Sequence, residues 1–166
     1  AIEAEFDAQV RWALDRGLRP THLDSHRHSH GFPPLFERAV RVARRHGIAY
    51  VRRLREALPG RGWPAAPAKQ RRTSAVLTCL GAVAAVGWPD LHVTTGTWGV
   101  AHTGHIDAEW LSLAARRLPV GVTEIMTHPG EADEQASGAA RLHASRPVEL
   151  AALCDPRVRG ILECHG

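Results

Sequence analysis

The strongest constraint on the fold is that the chain keeps changing its apolar period. Stretches with apolar residues every three or four positions alternate with short apolar runs of strand length. Phe6, Val10, Ala13 and Leu14 make a helical stripe over 2–16, and Gly17 follows as a left-handed cap. Arg19-Pro20 breaks that pattern, and Thr21 to Asp24 reads as a strand entering a loop. Pro33-Pro34 opens a second helix with Leu35, Phe36, Ala39, Val40 and Ala43 on one face, ended at Gly47. Ile48 to Val51 is the next strand. Pro59 to Gln70, with its prolines and glycines, is a loop. Thr73 to Val86 is helical, Leu91 to Gly104 strand and loop, Ala108 to Leu118 helical, Val122 to Met126 a strand, Val148 to Leu153 a helix and Val158 to Leu162 a last strand. This α-β alternation predicts an α/β fold of parallel βαβ units, open or barrel-shaped, with its chemistry in the loops after the carboxyl ends of the strands.

Length and composition narrow the class. The 166 residues, 44% hydrophobic and 23% charged, fit one globular domain. The formal charge of +4 comes from 21 basic against 17 acidic residues, and Lys69 is the sole lysine. Pairs such as Arg44-Arg45 and Arg71-Arg72 are not interleaved with aromatics that could stack bases, so a nucleic-acid partner is not expected. Ala75 to Pro89, about 15 residues, falls short of the roughly 20 needed to span a bilayer. No export pattern is present, and an odd set of three cysteines without CxxC spacing argues against disulfides and thiolate zinc, so cytoplasm is the expected compartment. A homo-oligomer stays open. The chain opens at Ala1 inside a helical pattern, and the expectation is a piece of a longer protein.

Of 11 histidines, His26, His28, His30, His102 and His105 fall in two short segments. His22, Asp24, His26, His28 and His30 share one parity, so an extended backbone would present them all on one face. Burying such groups without a cation or hydrogen-bond partners costs several kcal/mol, which points to a divalent metal site or catalysis; a solvated His-rich loop is the plainer alternative. Within the strand and directly after it, His22, Asp24 and His26 would share that face.

A second site is Glu124-Ile125-Met126-Thr127-His128-Pro129-Gly130, where a strand delivers His128 to its carboxyl end and Pro-Gly turns the chain. An imidazole there suits general acid or base work, although a turn residue would look the same. Glu124 would point to the same side. Trp98, between Thr97 and Gly99, is either a sugar-stacking surface or a core residue. His46, His143 and His165 read as solvated.

The motifs Thr21-His22-Leu23-Asp24-Ser25-His26-Arg27-His28-Ser29-His30, Pro33, Tyr50-Val51-Arg52, Glu56 and Gly121 to Gly130 together resemble the YdjC-like carbohydrate deacetylases, over about residues 2 to 162. Trp98 to Ile106 looks most like the hopanoid-associated branch of that family. The resemblance implies a deformed (β/α) barrel, of which this chain would be the C-terminal portion, and a single partial catalytic domain over 1–166. It implies removal of an N-acetyl group from an amino sugar with a divalent cation, magnesium by the resemblance, with zinc or another divalent ion left open. His26 matches the family's metal-binding histidine, and His128 matches the HPG histidine, the acid for the leaving amine. Asp24 would hold an imidazole in the ligating tautomer. His28, His30, Trp98 and His105 are candidate substrate contacts. Arg27 and Ser29 depart from the family's commoner His and Val. The family's Asp-Asp strand and Gly-x-His are not in this sequence, so the deacetylase is expected of the full-length parent and little activity of the piece alone.

Two other functions fit the residues. Another metallohydrolase on a (β/α) barrel would use Asp24, His26 and His28 together, and a non-catalytic metal-binding module would bind nickel, copper or zinc tightly without turnover.

Overall fold

The computed structural model of the chain describes residues 1–56, 63–88, 94–131 and 142–165. In order, the elements are α1 (Ile2–Asp15), β1 (His22–Leu23), a 3₁₀ segment (His26–Gly31), α2 (Pro33–Arg45), β2 (Tyr50–Val51), α3 (Ala68–Val86), β3 (Gly96–Trp98), α4 (Ala108–Ala115), β4 (Thr123–Ile125), α5 (Arg146–Leu153) and α6 (Pro156–His165). The start of the expected Pro59–Gln70 loop and the start of the expected strand at Leu91 lie outside the described residues. Two compact units can be separated: Ala1–Glu56 with Ala75–Thr97 and Gly121–Glu124, and Ala57–Ser74 with Trp98–Val120 and Ile125–Gly166.

In the first unit, α1 and α2 end as the glycines foretold. Gly17 (φ 76°) and Gly47 (φ 67°) take the left-handed conformation. Leu18 N–H then reaches back to Ala13 O at 3.1 Å and Ile48 N–H to Ala43 O at 2.8 Å, closing both helices with the same six-to-one bond. Phe36, Ala39, Val40 and Ala43 of α2 bury one stripe against Val10, Ile48, Val51 and Ala84, with Phe6, Leu23 and Trp88 at the margin. Each fully buried Val or Phe there removes about 1.5–3 kcal/mol of apolar surface from water. The two helices are also joined by charge: Asp7 accepts from Arg45 Nη1 at 2.9 Å and from His46 Nε2 at 2.8 Å. Those two contacts hold the Asp7 carboxyl below the usual carboxylate range. His46, expected in solvent, is a partner of this buried acid.

β1 and β2 pair in parallel, His22 opposite Tyr50 and Leu23 opposite Val51, with α2 as the crossover. Beyond β2 the chain runs beside the start of β3 without a regular ladder. Thr97 N–H donates to Arg55 O at 3.0 Å, Thr97 Oγ1 to Arg53 O at 2.9 Å, and Arg53 N–H to Thr94 Oγ1 at 3.2 Å. β3 pairs with β4, and Thr95 N–H bonds Val122 O at 2.6 Å. The α/β class and the short parallel strands are as expected; among the described residues the strands form two separate two-stranded sheets.

The core of the second unit holds Trp98, Ile106, Trp110, Leu111, Ala114, Ala152 and Val158. Trp63 packs edge-on against Trp98, ring centroids 5.6 Å apart. Asp107 caps α4 by accepting from Trp110 N–H at 2.8 Å.

Two expectations are corrected. Val158 to Leu162 is not a strand but the middle of α6. Pro156 suits a first helical position, and the Asp155 carboxylate accepts from Arg157 N–H at 2.8 Å. Val158 is buried while Leu162, one turn further on, is exposed, whereas a strand of a parallel sheet would be covered on both faces. The alternating face of His22 to His30 also fails after Asp24. His26–Gly31 is 3₁₀, kinked by left-handed conformations at Arg27 (φ 54°) and His28 (φ 58°). Period two cannot continue through such a backbone.

Candidate functional site

Parallel pairing of β1 and β2 aligns their carboxyl ends, so the residues that follow, Asp24 and Arg52, are neighbours. Arg52 Nη2 lies 2.6 Å from Asp24 Oδ2. The same guanidinium donates to Glu124, Nε to Oε2 at 2.8 Å and Nη2 to Oε1. One cation thus sits between two carboxylates, with the Arg52 side chain 12% exposed. Burial works against its charge, but the bond to Glu124 and the charges of Glu124 and Asp24 outweigh it and raise the Arg52 pKa. Asp24 therefore engages a guanidinium rather than an imidazole. Arg52 was legible in the sequence only as part of a motif; a charged residue directly after a buried strand end was the signal for its role.

The hydroxyl of Ser25 organises the histidine segment. It accepts from His30 N–H at 2.8 Å and from Ser29 Oγ at 3.0 Å. Its single proton then goes to His30 Nδ1, 2.6 Å away. His30 Nε2 donates to Arg52 O at 3.1 Å, because a carbonyl can only accept, and this fixes the Nε2–H tautomer. His30 is 1% exposed, and burial pushes its imidazole down to about 4. Both of its ring nitrogens are engaged inside the unit. His26 is exposed and His28 half-buried. Two successive left-handed non-glycine residues, Arg27 and His28, cost about 1–2 kcal/mol each, a strain of the kind that collects at functional sites.

The other candidates belong to the second unit. Met126 N–H bonds Trp98 O at 2.8 Å, joining β4 to β3 just ahead of His128. Gly99 permits this approach: its φ is +98°, and a Cβ would stand 2.6 Å from Met126 O. His128 Nδ1 is buried and has no hydrogen-bond partner among the described residues. Its backbone N–H donates to Glu149 Oε2 at 2.6 Å. Trp98, 6% exposed, takes the core alternative. His105 is exposed, and its N–H closes a turn onto His102 O at 2.7 Å. His102 is buried, with Nε2 donating to Pro64 O at 3.0 Å. Glu149 escaped the sequence reading; its only signal was an acid inside a short apolar helix.

Among the described residues, no three His, Cys, Asp or Glu side chains are grouped to hold a metal ion. The described part of this chain does not complete a metal centre by itself, and the expected trio Asp24, His26 and His28 does not form one. All three cysteines are free and exposed. Among the described residues no helix is long and apolar enough to cross a membrane.

In the first unit the parallel strands β1 and β2 end at Asp24, Arg52 and the kinked histidine segment, and in the second His128 follows β4, so each unit carries polar groups at strand ends, as an α/β protein does. The profile of the YdjC-like protein family matches residues 1–164, and the chain belongs to that family. A carbohydrate deacetylase of Mus musculus is 30% identical over 142 residues, 78% of this chain and 45% of that protein. One from Geobacillus stearothermophilus is 29% identical over 93% of this chain and 51% of its own length. A third, from Thermoanaerobacter pseudethanolicus, is 26% identical over 95% of this chain and 53% of its own. The chain spans about half the length of these curated relatives.

Proposed function

We propose that the chain is part of a hydrolase that removes N-acetyl groups from amino sugars, chito-oligosaccharide or hopanoid-linked glucosamine being the substrate classes. Membership of a family whose matched relatives are carbohydrate deacetylases supports the reaction class. One observation carries the residue assignment: the His128 imidazole follows β4 with a buried Nδ1 that has no partner among the described residues. A ring nitrogen without a partner among the described residues keeps its hydrogen-bonding capacity for a reacting group.

Hydrolysis of an acetamide requires a water to attack, a polarised carbonyl and a proton for the departing amine. His128 supplies the proton, since an imidazole titrates near neutrality and stays within reach of the nitrogen as the C–N bond breaks. Arg52 keeps Asp24 and the exit of β1 in place through its ion pair. A divalent cation, magnesium or zinc, would have His26 as one ligand and would supply polarisation of the carbonyl and of the attacking water.

The test is acetate release from chito-oligosaccharide by the full-length protein of which this chain is part, compared with its His128→Ala variant. We expect kcat to fall about 10²- to 10⁴-fold, with metal content unchanged. Equal turnover by the folded variant would refute the acid role, and no acetate release from any N-acetylated amino sugar would refute the reaction.

A further inference from the structure

The Glu149 side chain is 0% exposed, yet no arginine, lysine or histidine pairs with it among the described residues. A carboxylate buried this way must be satisfied by other donors, and here they are backbone amides. Oε2 accepts from His128 N–H at 2.6 Å, and Oε1 accepts from Gly104 N–H at 3.2 Å. The acid on α5 therefore ties together two loops, the His102–His105 turn and the start of His128-Pro129-Gly130. Pro129 has no N–H, so that tripeptide has two amides to offer. The second, Gly130 N–H, bonds Arg146 O in the first turn of α5 at 3.3 Å. Both amides of the His128 loop are thus held by one helix. Space is tight on each side: a Cβ at Gly130 would stand 2.9 Å from Arg146 Nε, and one at Gly104, with φ +79°, would stand 2.9 Å from the Leu142 side chain.

We propose that Glu149 is the positioning residue for His128: its two amide-bound carboxylate oxygens fix the backbone from which the imidazole projects, and so set the direction of Nδ1 and Nε2. Charge-assisted bonds from a carboxylate to amides are about twice as strong as neutral ones, so an acid holds this loop where an amide side chain would not. Glutamine offers one carbonyl oxygen, and its NH₂ would face a second N–H donor. The catalytic part of the inference rests on the assignment of His128 as the acid for the leaving amine; the positioning part does not.

Hydrogen exchange and histidine-ring NMR read the positioning directly. In the wild type, the His128 and Gly104 amide protons should exchange slowly; rapid exchange at either overturns the proposal without any variant. In Glu149→Gln, both amides should lose protection at least about tenfold relative to amides of α4, and the His128 ring resonances should move. In the acetate-release assay kcat should fall about 10- to 100-fold with KM little changed, as expected when a reacting group is misaligned by an ångström. Glu149→Asp, which keeps the charge but is one methylene shorter, should restore part of the protection and of kcat. Unchanged protection or unmoved His128 ring resonances in Glu149→Gln would overturn the proposal, and lost protection with full kcat would overturn its catalytic part. Should the wild type release no acetate, the assignment of the reaction fails, while the exchange and ring data still decide whether Glu149 positions His128.

Discussion

Acidification should destabilise this protein through His30, and the size of the effect follows from its surroundings. The imidazole is buried, its Nε2–H bound to Arg52 O and its Nδ1 accepting from Ser25. Burial lowers its folded-state pKa from 6.5 to about 4. In the unfolded chain the ring binds a proton below about 6.5, while the folded ring resists it down to about 4, so stability is full above the unfolded value and is lost as pH falls through that window. One pKa unit is worth about 1.4 kcal/mol, so the change between pH 7 and pH 5 is about 2 kcal/mol, approaching about 3 at the acid end. Urea unfolding at both pH values, for the wild type and His30→Gln, isolates it. Glutamine can still donate to Arg52 O but does not titrate, so other acid-sensitive groups such as Asp7 cancel in the difference. The wild type should lose about 2 kcal/mol more than the variant. Parallel losses, or a His30 ring titrating near 6.5 by NMR, would refute the reasoning.

Replacing Arg52 by Met leaves Asp24 and Glu124 without their shared cation; the cost should be about 1.5–3 kcal/mol in urea unfolding at neutral pH, less than for a fully buried pair because both acids keep some water. Arg52→Lys should recover part of it. Gly99→Ala adds a left-handed penalty to a clash with Met126 O and should cost about 2–4 kcal/mol, measured by chemical denaturation. Gly17→Ala, whose Cβ meets nothing within 4 Å, should cost only the conformational part, about 1–2 kcal/mol. In the full-length parent, His26→Ala should lower bound divalent metal, read by elemental analysis of the purified protein; unchanged content would sink its role as a ligand.

Much of the fold is written in local pattern. The stripe from Leu35 to Ala43, Pro33-Pro34 at its head and Gly47 at its foot define α2 because helix period, first-turn proline and left-handed glycine all act within a few residues. The same holds for α1 with Gly17, and for the short strands β1, β2 and β4, so Asp24 and His128 could be assigned to strand ends before any coordinates. Period alone misled in two places. Val158 to Leu162 is short enough to read either way, and only in the fold does it become the middle of the Pro156–His165 helix, with Val158 in the Trp110 core. The parity of His26, His28 and His30 assumed an extended chain that the turn at Arg27 and His28 abolishes.

What only the tertiary structure decided is partnership. Arg52 and Glu124 meet across 72 residues, and Glu149 reaches His128 and Gly104 from a different helix. Side-chain types and spacing fix which groups can ionise or donate, but a buried acid takes whichever donors the packed backbone presents to it. Those donors are amides, common to nearly every residue and carrying no sequence signature. The chain's own order therefore reveals where chemistry gathers, at the ends of its strands, while the bonds that aim each group come into being only when distant segments are folded side by side.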